Sequence, residues 1–199
     1  MSVKERRERE RRQRRETIMN SAIELLRTEG LSGLSMDRIA EKAELSKGTL
    51  YLYFRNKEHL IREIFWSRLN LLIEKIGQKM SQEGEFEDIV KDVIRIVIEF
   101  HTENVDIFKT LYHSLPSGAY DFLREVKNIE KDYKEKIQRM SQSFFGRFDR
   151  GQFRVEPKYL QTTLRGIIWG FLTEKIFGYS DIELDPELIY TIFARGVLK

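Results

Sequence analysis

Ser35-Met-Asp-Arg-Ile-Ala-Glu-Lys-Ala-Glu-Leu-Ser-Lys-Gly-Thr-Leu-Tyr-Leu-Tyr-Phe-Arg-Asn-Lys-Glu-His-Leu60 contains three helix starts in close succession. Ser35 can cap a first helix with Ile39, Ala40 and Ala43 inward, and Ser46 a second with Leu50 and Phe54 inward. Asn56 caps a third. The link between the first two is only a few residues long, and Ala40 and Ala43 are small enough for two backbones to cross closely. The spacing predicts a helix-turn-helix.

The outer side of the second helix carries Lys47, Gly48, Thr49, Tyr51 and Tyr53: a cation, a bare backbone and three hydroxyls. Gly48 costs the helix about 1 kcal/mol relative to Ala, but it removes a side chain where another surface could approach. Lys57 opposes the macrodipole in the first turn of the third helix, and a phosphate at that end would be attracted by both. Such a helix suits the major groove of duplex DNA, with Lys47, Thr49 and Leu50 at base edges, the last through a thymine methyl. A purely structural reading makes Tyr51, Tyr53 and Phe54 an aromatic cluster closing the small core.

With Ile18, Ala22, Leu25, Leu26 and Gly30 ahead of it, this stretch resembles the DNA-binding domain of the tetracycline-repressor (TetR) family of bacterial regulators. The matching positions are Gly30, Ser35, Ile39-Ala40, Ser46, Gly48-Thr49-Leu50-Tyr51, Tyr53-Phe54, Asn56-Lys57-Glu58 and Leu60. Glu44 departs from the pattern, standing in the turn where the family usually has Gly. A side chain there is expected to carry positive φ at a cost of about 1 kcal/mol. The resemblance implies that Tyr51, Lys57 and Ser35, with Tyr53, hold phosphates.

Charge is distributed to match. Residues 1–62 hold 15 Lys/Arg against 10 Asp/Glu, whereas residues 63–199 hold 20 against 22. There is no Cys, which excludes disulfides, thiolate metal sites and cysteine nucleophiles, and no apolar run approaches the length of a membrane span. A soluble cytoplasmic protein with no membrane partner is expected.

Three regions are expected: a basic arm (1–16), the helix-turn-helix domain (17–62) and a larger domain (63–199). The arm is almost solid charge, and Glu-before-Arg pairs at i,i+4 favour its extending the first helix. It can touch phosphates or place Arg in a minor groove, or fray in solvent. A long helix should run from Asn56 to about Met80 with Leu60, Ile64, Leu71, Leu72 and Ile76 inward. Phe86 to Phe100 reads as a central helix, followed by a short one over 105–114. A break at Pro116-Ser-Gly118 precedes a long helix containing Leu123, Val126, Ile129, Tyr133, Ile137, Met140, Phe144 and Phe148 and ending at Gly151. Pro157 and Pro186 fit the first turns of the last two. The fold class is all-α, about nine helices, without a convincing strand.

One reading helix spans few base pairs, so a homodimer on a palindromic operator is expected. Gly166 and Gly170 leave a flat strip beside Ile167 and Phe171 on the penultimate helix, where a partner helix can approach; packing within one subunit is the alternative. The resemblance agrees, its members usually dimerising through their last two long helices. It also implies an effector pocket in the larger domain. Phe100, His101, Tyr112, His113 and Trp169 are the candidate lining residues, apolar with few polar groups, for a hydrophobic small molecule such as an acyl chain or an aromatic drug. His101 and His113 match no zinc spacing, and no catalytic or cofactor motif occurs, so neither an enzyme nor a metal or cofactor protein is expected. The expected function is that of a transcriptional repressor released by its effector; a non-specific architectural DNA-binding protein is the alternative.

Overall fold

The computed structural model describes residues 2–114 and 131–199, with backbone alone for 111–114 and 131–134. Among the described residues there are nine α-helices and no strand, only an isolated antiparallel bridge between Phe153 and Leu198. They are α1 (Val3–Gly33), α2 (Met36–Lys42), α3 (Lys47–Tyr53), α4 (Lys57–Met80), α5 (Phe86–Glu103), α6 (Val105–Ser114), α7 (Lys131–Phe145), α8 (Pro157–Phe177) and α9 (Pro186–Val197). The described residues form two compact units, 2–68 with 106–114, and 69–105 with 131–199.

In the first unit the arm is not a separate segment. It is the beginning of α1, opened by a capping box in which Ser2 and Glu5 satisfy each other's backbone N–H groups. Gly30 breaks the helical run with φ 66°, ψ −167°. Ile18, Ala22, Leu25 and Leu26 face inward as their spacing requires, and Leu34, Ile39, Ala40, Leu50, Phe54, Leu60, Ile61 and Ile64 complete the buried core. Two ion pairs fasten α2 along α1: Lys42 to Glu24 at 2.6 Å, and the Arg38 guanidinium to both oxygens of Glu29. Leu71 of α4 is 47% exposed rather than inward, while Leu72 and Ile73 are buried. The apolar stripe of α4 therefore runs through Leu60, Ile64 and Leu72, as expected, with Ile61, Phe65 and Ile73 beside them and Ile76 half-buried.

The second unit is built on α5, whose Ile89, Val90, Val93, Ile94 and Ile98 pack with Leu160, Leu164, Ile168 and Leu172 of α8 and with Ile189, Tyr190 and Phe193 of α9. Phe86 stands at one end among Phe144, Phe148 and Phe153, with ring centroids 5.1–5.9 Å away. Helix α7 stops at Phe145, earlier than the Gly151 expected from the apolar spacing. Phe148 keeps its apolar contact from a turn instead, and Gly151 belongs to a 3-10 turn over Arg150–Gln152 capped by Asp149. Arg147 donates to the carbonyls of Met80 at 2.7 Å and Gln82 at 2.8 Å, satisfying acceptors at the end of α4. Pro157 and Pro186 stand in the first turns of α8 and α9, the latter behind the Asp185 cap. Leu123, Val126 and Ile129 lie outside the described residues, as does the side chain of Tyr133.

Candidate nucleic-acid interface

The reading head is assembled from three caps. The Ser35 hydroxyl accepts from Arg38 N–H at 3.3 Å, the Ser46 hydroxyl from Thr49 N–H at 3.1 Å, and the Asn56 side-chain oxygen from His59 N–H at 2.8 Å. Between the first two helices Glu44 turns the chain with φ 55°, the left-handed conformation expected at that position. Its amide and that of Leu45 donate back to Glu41 and Ala40 carbonyls, which closes the end of α2 and sets the angle at which α3 leaves.

Leu50 and Phe54 are fully buried, so the opposite side of α3 faces out. Lys47, Gly48 and Tyr51 are exposed, and Thr49 and Tyr53 are half-buried. A Cβ on Gly48 would find only the Ser46 hydroxyl, 3.9 Å away, so this stretch of backbone is open to an approaching surface. The Thr49 hydroxyl is 2.8 Å from that of Ser46, an orientation that steadies it on the first turn. Lys47 reaches back to Asp37 at 2.6 Å with both side chains exposed, a pair weak enough for a phosphate or a base edge to replace.

Leu50 has to be corrected as a base-edge residue. With no accessible surface it is a core side chain, held between the helices of the head, and cannot reach a thymine methyl. Leu52, two residues on, is 77% exposed and is the apolar group the outer face presents. The signal for it was available: if Leu50 and Phe54 point inward, a step of about 100° per residue puts Leu52 opposite the core.

Lys57 opens α4 half-buried and without an ion-pair partner among the described residues. Next to it His59 accepts from Arg55 N–H through Nδ1 at 3.3 Å and tilts against Phe54 at 5.8 Å. Arg15 of α1 spans this corner, its guanidinium 4.8 Å above the Phe54 ring and 2.6 Å from the Glu63 carboxylate. Ser35, Lys47, Gly48, Thr49, Tyr51, Tyr53 and Lys57 thus belong to one head, with Tyr53 and Lys57 at the end where the arm joins it.

In the second unit three of the five effector candidates come together. The Phe100 and His101 rings are 5.3 Å apart, and Trp169 meets His101 edge-on at 5.9 Å. Burial pushes the His101 imidazole down to about 4, against a weaker opposing effect of its Val97 carbonyl contact at 2.7 Å. The ring is therefore neutral at neutral pH, with Nδ1 as the donor. Asn104, one turn on, buries a side-chain oxygen without a hydrogen-bond partner among the described residues, a polar group that the sequence reading missed. The side chains of Tyr112 and His113 lie outside the described residues. Gly166 and Gly170 are exposed on α8, and a Cβ on either would meet nothing within 4 Å; Ile167 and Phe171 beside them are half-buried. Among the described residues no group of three His, Asp or Glu could hold a metal ion, and no helix is long and apolar enough to cross a membrane.

Comparison with known proteins places this geometry. Residues 18–64 match the family model described as bacterial regulatory proteins, tetR family. An uncharacterised helix-turn-helix transcriptional regulator of Haemophilus influenzae is 29% identical over 119 residues, which cover 59% of this chain and 63% of that relative's own length. The similarity therefore spans less than two thirds of the relative. Among solved structures, a protein assigned to the TetR family from Mesorhizobium loti superposes with a TM-score of 0.70 at 20% identity, covering 94% of this chain and 98% of the other. FadR of Bacillus subtilis, a transcriptional regulator solved in complex with stearoyl-CoA, gives 0.66 at 17% identity, covering 90% and 97%. At these identities the structures establish the fold.

Proposed function

Since the chain belongs to the TetR family of bacterial regulators, we propose that it is a homodimeric repressor that reads a palindromic operator and is released from it by a hydrophobic small molecule. The observation that carries this reading is the outer face of α3, where an open glycine backbone, a lysine, a threonine and a tyrosine stand beside Lys57, a cation with no ion-pair partner among the described residues. Lys47 and Thr49 take the base edges, and Leu52 takes the thymine methyl in place of Leu50. Ser35, Tyr51, Tyr53 and Lys57 hold phosphates and fix the register.

Two heads are needed for two half-sites about one helical turn apart, or a multiple of that. The open glycines of α8, with Ile167 and Phe171, supply a strip on which the same helix of a second copy can lie. The effector is assigned to the second unit at Phe100, His101 and Trp169, where a neutral histidine among rings suits an apolar chain or ring. The stearoyl-CoA held by the Bacillus subtilis protein makes a long acyl chain the first molecule to try. An effector that prefers one arrangement of the two heads shifts the population toward it, and affinity for the operator falls.

Selection of bound sequences from a random duplex pool at about 0.15 M salt tests the reading, because counterion competition suppresses non-specific binding there. Recovery of a palindrome is expected. A pool without an enriched motif, together with binding that disappears as salt rises, would replace the repressor with a non-specific architectural DNA-binding protein. Calorimetry with stearoyl-CoA and with small charged metabolites tests the effector class, and binding of the metabolites alone would overturn it.

A further inference from the structure

The first four turns of α1 carry more charge than helix formation requires, and the charge is arranged. With about 3.6 residues per turn, Lys4, Arg7, Arg11 and Arg14 fall on one face, each about one turn from the next. All four are exposed, and none has an ion-pair partner among the described residues. The acidic groups of the arm are used elsewhere or stand apart. Glu5 accepts from Ser2 N–H at 2.7 Å, and Glu10 pairs with Arg6 at 3.5 Å; Glu8 borders the stripe. Cations three and four residues apart on a helix repel one another, so an external polyanion would stabilise this arrangement. The arm leaves the head at Arg15, which lies over Phe54 and against Glu63, beside the Tyr53 and Lys57 assigned to phosphates.

We propose that the stripe Lys4–Arg7–Arg11–Arg14 is a second DNA-binding surface that grips the phosphodiester backbone flanking each half-site. This inference rests on the DNA-binding reading above. A helix with its side chains is about 10–12 Å across and does not enter a minor groove about 6 Å wide, so the stripe meets phosphates rather than base edges. Val3 is the one large apolar residue of the stretch, so the arm lacks the hydrophobic face with which a helix lies on a membrane surface. From Val3 to Arg14 the arm is about 18 Å long, enough to cover about five base pairs beyond the head.

The test uses the full chain and a duplex that the unmodified protein selects from a random pool, extended by ten or so base pairs on either side. The variant K4Q/R7Q/R11Q/R14Q keeps good helix formers and removes the stripe; R6Q/R9Q/R12Q removes cations from the other faces. The stripe variant should lower the slope of log affinity against log salt by about 0.9 for each phosphate it no longer neutralises, that is by about 3 to 4 per arm. Its hydroxyl-radical footprint should shorten at both ends, with the recovered sequence motif unchanged. R7K/R11K/R14K should retain the slope, which separates loss of charge from loss of contacts peculiar to the guanidinium. An unchanged slope and footprint in the stripe variant would overturn the proposal, as would an equal loss per cation from the other faces. Failure of the unmodified chain to select any sequence would instead defeat the repressor reading itself.

Discussion

Leu50 and Tyr51 are adjacent, and the helix sends them to opposite sides: one has no accessible surface and the other is 51% exposed. Their substitutions should therefore fail differently. Leu50→Ala should cost about 2–5 kcal/mol of stability through the cavity it leaves, measured by urea denaturation. Tyr51→Phe with Lys57→Ala should leave the melting transition within about 2 °C, from a surface change of a few tenths of a kcal/mol. That pair should instead weaken binding to every duplex and flatten its salt dependence, read by fluorescence anisotropy across a salt series. Relaxed base preference at undiminished affinity would contradict the phosphate roles. His101 carries a second residue-scale prediction. Its folded pKa of about 4 lies below the ordinary value of 6.5, so between those values the unfolded chain binds the proton and the folded one does not. Its contribution is fully present above pH 6.5 and is lost as pH falls toward 4, by about 3 kcal/mol. Melting temperatures of His101→Phe should lack that part of the acid slope.

At the scale of elements, short caps and long-range clasps divide the work. Ser35, Ser46, Asn56 and Asp185 each lie next to the helix they start, and each was legible because a capping side chain acts within three residues. The end of α4 is closed by Arg147, which is more than sixty residues away in sequence, and no local rule could have named it. Arg147→Ala should destabilise the fold by about 1 kcal/mol by removing the partner of the part-buried Met80 carbonyl, the exposed Gln82 carbonyl turning to water, with no effect on the DNA sequence preferred. Thermal denaturation and repetition of the pool selection check both halves. The early end of α7 has the same origin. Phe148 continues the apolar period of that helix but meets Phe86 from a turn, because ring contact constrains where the side chain lies and not the backbone that brings it.

For the whole molecule, the two glycines of α8 offer a test in which fold and assembly move in opposite directions. A Cβ at Gly166 or Gly170 meets nothing within 4 Å, so replacing both with Ala should stabilise the isolated subunit by about 1 kcal/mol each through helix propensity. If a partner helix lies on that strip, the same methyl groups hold it off, and sedimentation equilibrium should show a weakened dimer. Unchanged association would place the dimer surface elsewhere.

The sequence by itself determined the all-α class, the helix-turn-helix and its caps, because each depends on residues within one or two turns of one another, and the resemblance to the family's turn pointed to the positive φ at Glu44. The helical period of α3 also carried its exposed face, but the sequence analysis placed Leu50 both inward and at a base edge, and it is burial that excludes Leu50 and exposes Leu52. Only the tertiary structure decided that Leu71 turns outward and that Arg15 clasps Phe54 and Glu63. Only there do Phe100, His101 and Trp169 come together, and only there does burial hold the His101 imidazole below its ordinary pKa. Burial and ring contact are set by which distant segments share a space, and helical period carries no information about which neighbour fills it.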